Sequence, residues 1–212
     1  MGKFNFRILL ISWFFIFGFV NFIFAEPDQK LIDFAITGFD KKGAKSMELS
    51  GKSADIFQQN IKLQDVTAKM QGTDDNLVIK ADKGDFDKTK NFLKLEENVK
   101  AEVHNNQDNV VLPNQVTITS QGPLEIDYKN KIAVFIDNVC VVRPDSTMFS
   151  DKLEIYFSGD GNKISHVVAL DNVKILRDEN ISYCDRADFD IASDKLVLSG
   201  EPKLIINETP RN

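Results

Sequence analysis

The phrase "ALDNVKIL" (Ala169–Leu176) decides how this chain is read, because it stands in three earlier versions. "FIDNVCVV" lies at Phe135–Val142, "KLEENVKAEV" at Lys94–Val103 and "IKLQDVTAKM" at Ile61–Met70. Self-similarity at the spacing of a supersecondary unit is the signature of a repeat architecture, in which stacked neighbours bury a face that one unit cannot bury alone. Each phrase also has an upstream companion. "SDKLEIYF" (Ser150–Phe157) and "CDRADFDI" (Cys184–Ile191) agree position by position: small, Asp, basic, apolar, acid, apolar, any, apolar. "ADKGDFD" (Ala81–Asp87) puts Gly84 at the first apolar position, "SQGPLEIDY" (Ser120–Tyr128) carries one insertion, and "SADI" (Ser53–Ile56) is a truncated first copy.

Each unit therefore reads as a strand, a polar turn and a second strand that ends in the Asp-Asn-Val phrase. The turns "DKTKN" (87–91), "KNK" (129–131), "SGDGN" (158–162) and "ASDK" (192–195) hold the residues that hairpins need. In the first strands the apolar residues alternate, as in Leu153, Ile155 and Phe157, with Glu154 and Tyr156 between them. Period two means one dry face and one wet face. At the Asp-Asn phrase the period slips. Val134 and Ile136 have one parity and Val139 and Val141 the other; Val168 and Leu170 stand in the same relation to Val173 and Ile175. Holding all of them on one face requires an extra residue, so the sheet is expected to bend at this phrase in every repeat. Five such units predict an all-β, elongated, open antiparallel structure with no helix in 76–206. "HNNQDNVVLPNQ" (104–115) reads as a long loop between units.

The chain of 212 residues is 42% hydrophobic and 27% charged, which suits one domain with an ordinary core. Its 17 Phe crowd towards the start. There Lys3 and Arg7 precede an apolar run from Ile8 to Ala25, and Glu26 and Asp28 follow it. This charge order predicts export of everything downstream, with residues 1–25 either a cleaved signal peptide or an N-terminal hydrophobic helix kept as a membrane anchor. Residues 26–207 form the domain and 208–212 a frayed tail.

Residues 1–25 carry two basic and no acidic side chains, so the formal charge of −6 becomes −8 without them. An acidic chain is a poor binder of nucleic acid, and none is expected as a partner. Cys140 and Cys184 lie in the exported part, where a disulfide is chemically permitted but no pairing is dictated. His104 and His166 are isolated, and no nucleophile elbow, zinc motif or phosphate loop occurs. The acid pairs Asp85/Asp87 and Asp188/Asp190 fit a solvated face that limits aggregation better than a metal site. No enzyme activity, cofactor or metal is expected.

"FAITGFDKKGAKSMELSGKSADI" (Phe34–Ile56) resembles the opening segment of LptC, the periplasmic component of the lipopolysaccharide export system. The repeated Asp-Asn-Val phrases are similar to the OstA-type domain that LptC shares with LptA. The resemblance covers about residues 32–206 and implies an open β-jellyroll whose apolar interior accommodates lipid acyl chains. It implies a periplasmic site, anchored in the inner membrane if the first segment is retained. Lipopolysaccharide would pass from an inner-membrane ABC transporter to an LptA-like bridge protein, joined through edge strands. A soluble LptA-like bridge subunit and a lipid-free β-repeat scaffold are the alternatives.

The expected groove lining is Phe86, Leu95, Leu124, Ile126, Ile136, Leu153, Ile155, Phe157, Val168, Leu170, Phe189, Ile191 and Leu198. For each of these, plain core is the bland alternative. The expected partner edges are Ile32, Phe34 and Ile36 at one end and Leu204, Ile205 and Ile206 at the other. Both stretches are thinly guarded by charge.

Overall fold

The bend expected at each repeated phrase is made by residues in the left-handed backbone region. The computed structural model describes residues 26–39, 45–71, 75–105, 116–158 and 164–207. Its strands are β1 (Gln29–Phe39), β2 (Lys45–Ile56), β3 (Asn60–Gln71), β4 (Asp75–Asp87), β5 (Phe92–Glu96), β6 (Lys100–Asn105) and β7 (Val116–Thr119). They continue with β8 (Leu124–Asp127), β9 (Ile132–Arg143), β10 (Ser146–Phe157), β11 (Ile164–Arg177), β12 (Asn180–Asp190), β13 (Lys195–Ser199) and β14 (Lys203–Ile205). All of them join one antiparallel sheet, and the described part of 76–206 contains no helix. The fold is an all-β, elongated jellyroll. The expected N-terminal helix (1–25), most of the 104–115 loop, the centre of the "SGDGN" turn and the tail 208–212 lie outside the described residues.

Eight long strands, β1–β4 and β9–β12, each run through two leaves of the sheet. Of the short strands, β5, β8 and β13 complete one leaf, and β6, β7 and β14 complete the other. Buried residues of both leaves form a single cluster, so the sheet is folded over on its dry face. Positive φ occurs along the crease at Asp33, Asp65, Glu97–Asn98, Asp137–Asn138, Asp171–Asn172 and Gly200–Glu201. Asp and Asn tolerate this conformation better than other side chains, which explains their recurrence at these positions.

The number of left-handed residues decides the parity. One of them, Asp65, lets Leu63 and Val66 both point inward although they are three apart. Two of them, as at Asp137–Asn138, keep Phe135 and Val139 inward at a spacing of four. Ala169 and Val173, like Leu95 and Val99, repeat the second case. The bend therefore falls where the phrase predicts, but the inner residues before it in β9 and β11 are Ala133, Phe135, Val167 and Ala169. Val134, Ile136, Val168 and Leu170 are on the other face.

Side chains lock three of the double corners. Asn98 Nδ2 donates to Asp82 Oδ2 at 2.6 Å, Asn138 Nδ2 to Gln121 Oε1 at 2.9 Å and Asn172 Nδ2 to Asp151 Oδ2 at 2.6 Å. Backbone bonds run beside two of them, from Asp82 N to the Glu97 carbonyl and from Gln121 N to the Asp137 carbonyl, each 2.9 Å. Three of the four copies of the phrase thus supply an amide donor to the upstream motif of a neighbour, and in those repeats the two motifs recur together for that reason.

Three hairpin turns share one construction. Asp87 Oδ1 accepts the N–H of Thr89 and Lys90, Asp127 Oδ1 those of Lys129 and Asn130, and Asp190 Oδ1 that of Ser193. These are Asx turns, closed by Asn91, Lys131 and Asp194 at positive φ. The backbone N–H of Lys90, the backbone N–H of Asn130 and the Ser193 hydroxyl, each the largest influence on its carboxyl, hold Asp87, Asp127 and Asp190 below the ordinary 3.8. A lowered carboxyl pKa contributes stability above the unfolded value, and that stability is lost as the pH falls through the folded value. Below about pH 4 the melting temperature should therefore fall. Asp127→Asn, which keeps an acceptor but does not titrate, should flatten that fall in a pH series of thermal melts; an unchanged slope would remove Asp127 from the effect.

Candidate functional site

The inner face is a set of ladder rows that cross the whole sheet. Residues opposite each other in a ladder share a face. One row on the first leaf runs Leu31, Ala54, Leu63, Gly84, Leu95, Leu124, Phe135, Leu153, Ala169, Ala187 and Leu198. The next runs Ile56, Ile61, Phe86, Leu93, Ile126, Ala133, Ile155, Val167, Phe189 and Leu196. Facing them on the second leaf is Ile36, Leu49, Ala68, Ile79, Ala101, Ile118, Val141, Met148, Ile175, Ser182 and Leu204. Gly84 breaks the first row for a packing reason. A Cβ there would lie 3.1 Å from a Leu95 methyl and 3.3 Å from Leu63, so its absence lets those two leucines close over the strand.

Nine of the expected lining residues share these rows: Phe86, Leu95, Leu124, Ile126, Leu153, Ile155, Phe189 and Leu198 by register, and Phe157 by packing against the same cluster. Four do not. Ile136 and Leu170 lie opposite Lys152, and Leu170 also opposite Arg186, on the outer face. Val168 lies between Glu154 and Asp188 on that same face, buried by its neighbours rather than by the core. Ile191 stands in the turn after β12 and is exposed. The first three are corrections of parity, caused by the second left-handed residue at each corner.

Burial along the interior is uneven. Leu95, Leu124, Phe135 and Leu153 in the middle retain 0–2% of their surface, whereas Leu196 and Leu204 at the C-terminal end retain 49% and 61%. Ile36 at the opposite end retains 46%. The interior is closed at its centre and open at both ends. Tyr128 borders it, edge-on to Phe86 with centroids 6.3 Å apart, and burial pushes its hydroxyl pKa up.

The outer face of the first leaf carries an alternating charge row: Lys30, Asp55, Lys62, Asp85, Lys94 and Glu125. The row then alternates apolar and acidic residues, through Val134, Glu154, Val168, Asp188 and Val197. Only the register reveals this pattern, because its members lie on eleven strands. Glu154, Asp188 and Asp190, expected to be exposed, are on the wet face but half-covered. Lys152 and Tyr156 both donate to Glu154, at 2.6 and 2.7 Å, and Arg186 and His166 hold Asp188 at 2.8 and 2.9 Å. Burial acts to raise the Glu154 carboxyl, but the two donors outweigh it and hold it below its usual range. Glu154 and Asp188 are thus each held by two donors, whereas Asp55 Oδ1 accepts no hydrogen bond and has only the Lys30 ammonium at 3.4 Å. Among the described residues no group of three or more His, Cys, Asp or Glu is arranged to hold a metal ion.

Among the described residues the two sheet edges are β1, paired only with β2, and β13 with β14, both joined only to β12. Phe34 differs from its neighbours Ile32 and Ile36. It is 7% exposed and its ring covers Gly51, where a Cβ would meet the ring at 2.8 Å, so it fastens the edge to its own sheet. At the far edge Leu204 and Ile205 belong to β14, while exposed Ile206 follows it. The edge also includes β13, where Leu196 and Val197 are exposed. The outer face of the second leaf adds exposed Val142, Phe149 and Tyr183 near this end. Cys140, opposite Phe149 on that outer face, and Cys184, in the buried cluster, lie on opposite faces and are both free. Burial raises both thiols.

Residues 117–209, from β7 to just past β14, match the family model described as LptA/(LptD N-terminal domain) LPS transport protein. The match supports the LptA/OstA superfamily. It covers less than half of the chain and does not single out LptC. No curated protein matches. Among the described residues no helix is long and apolar enough to cross a membrane.

Proposed function

We propose that the protein is a periplasmic, non-enzymatic component of lipopolysaccharide transport that holds acyl chains in the folded-over sheet and passes them along it. The observation that carries this reading is the continuous apolar row through eleven strands, open at both ends, within a chain whose second half resembles an LPS transport family. An acyl chain outside such a slot is unfavourable by about 0.8 kcal/mol for each exposed methylene. A conduit must also release its cargo, which suits an apolar channel without specific polar contacts.

The residues that meet lipid in this reading are those of the inner rows, with Leu196, Leu198 and Leu204 at one end and Ile36 at the other. Ile136, Val168, Leu170 and Ile191 are not among them. β1 faces the inner-membrane transporter, and β13–β14 receive an LptA-like bridge protein by main-chain pairing. A retained N-terminal segment makes the chain LptC-like and membrane-anchored; a cleaved one makes it an LptA-like bridge. Membrane fractionation of the full chain separates the two.

One observation favours the lipid-free scaffold: Leu95, Leu124, Phe135 and Leu153 fill the middle of the interior. Photo-crosslinking residues decide between the readings. Probes at Leu196, Leu204 and Ile155 should capture lipopolysaccharide, and a probe at outward-facing Val168 should not. Capture at none of the three in a folded chain would establish the scaffold.

A further inference from the structure

We infer that the asparagine bridges at the double corners of the crease fix the angle between the two leaves there, and that the last double corner, which alone of the four lacks such a bridge, is a part of the sheet that opens. The four double corners share a pair of left-handed residues, and three of them share a backbone bond beside it. Asp185 N donates to the Gly200 carbonyl at 3.0 Å, as Asp82 and Gln121 donate to Glu97 and Asp137 at the earlier corners. Gly200 and Glu201 are the left-handed pair, with φ of 76° and 50°. A Cβ on Gly200 would lie 2.5 Å from Asp185 Cβ, so the two chains approach closely.

The side chains differ. Glu201 stands where the earlier corners have Asn98, Asn138 and Asn172, and Asp185 stands where they have Asp82, Gln121 and Asp151. Neither side chain carries the amide N–H that makes the bridge at the other corners, and no hydrogen bond or ion pair joins them. The amide-to-acceptor pairing that fastens three corners is replaced at the fourth by two carboxylate side chains with no amide between them.

Two independent features agree with a loose last corner. The final strand is broken into β13 and β14, whose ladders to β12 hold five and three residue pairs; β5 and β6 are split in the same way at the clasped Glu97–Asn98 corner, but they are paired on both sides, and β13 and β14 on one side alone. Short ladders with exposed side chains open at low cost in free energy. The inner residues of these strands, Leu196 and Leu204, are also the ones that the fold leaves uncovered. The mouth therefore opens at the C-terminal end while the clasped corners keep the middle closed. For what passes through that mouth, and only for that, the inference rests on the transport reading.

The sheet supplies matched positions for a test. Val134 and Val142 flank the clasped Asp137–Asn138 corner, and Val197 and Ile205 flank Gly200–Glu201 in the same two outer rows. Spin labels at each pair, in the full chain with Cys140→Ser and Cys184→Ala, report the leaf separation by pulsed electron resonance. The Val197/Ile205 distribution should be broad and the Val134/Val142 distribution narrow. Glu201→Asn should narrow the first to the width of the second, and Asn138→Ala should broaden the second. Asp185→Asn offers the same bridge from the other strand if Glu201→Asn fails to fold. Equal widths in the native chain, or a last corner unmoved by both substitutions, would overturn the inference. Lipid capture is read separately: if the widths behave as expected but interior probes never capture lipid, the transport reading fails and the hinge stands.

Discussion

Phe135→Ala is expected to destabilise the protein by about 3–5 kcal/mol, a large share of the roughly 5–15 kcal/mol that holds a domain together. Phe135 retains 2% of its surface, lies between Leu124 and Leu153 in the central inner row, and is the largest fully buried side chain among the described residues. Truncation removes the transfer free energy of the ring and leaves a cavity between two leaves that strands cannot readily collapse to fill. The same substitution at Phe189 should have a much smaller effect, since that ring sits half-covered near the open end beside Leu196. Urea denaturation of both variants measures the difference. Similar values at the two positions would show that the interior is as open in the middle as at its end.

That contrast also marks how far the sequence could be read. Strict alternation in "SDKLEIYF" placed Leu153 and Ile155 inside, because period two has one meaning when one face is dry. The turns at 87–91, 129–131 and 192–195 were legible from their composition, because local chemistry closes them; the carboxylates of Asp127 and Asp190 that do so lie just before the second and third stretches. The parity of Ile136, Val168 and Leu170 depended on whether one or two residues adopt positive φ at the corner. A signal for it was present. "LQDV" has one acid before its Val, whereas "EENV", "IDNV" and "LDNV" add an Asn, the residue that forms the bridge. The alternating outer row from Lys30 to Glu125 could not be read from spacing, since its members meet only through ladder register. The break in the last strand was foreshadowed by "SGEPK", where Gly200 supplies a left-handed residue and Pro202 removes a ladder donor.

If the C-terminal edge receives the LptA-like partner proposed above, proline placed in β14 should weaken its capture by about tenfold or more while leaving the rest of the sheet folded. A lost main-chain hydrogen bond contributes about 1 kcal/mol, and the proline ring also crowds the incoming strand. β14 pairs with β12 through Lys203, Leu204 and Ile205, so alternate N–H groups along it point towards β12 and towards the open edge. Leu204→Pro and Ile205→Pro therefore separate two effects. One removes a donor from the protein's own ladder and loosens β14, and the other removes a donor that only a partner could use. Both should weaken docking, but only the first should lower the melting temperature. Proline at Val197 extends the test to the first leaf, where β13 forms the other half of the same edge. If docking engages both leaves, each substitution alone leaves residual binding and the pair abolishes it, because the two halves act as linked sites. Surface-bound partner with increasing concentrations of each folded variant gives the affinities. Binding unchanged by all three substitutions would exclude the C-terminal edge and shift attention to the exposed outer face around Val142, Phe149 and Tyr183.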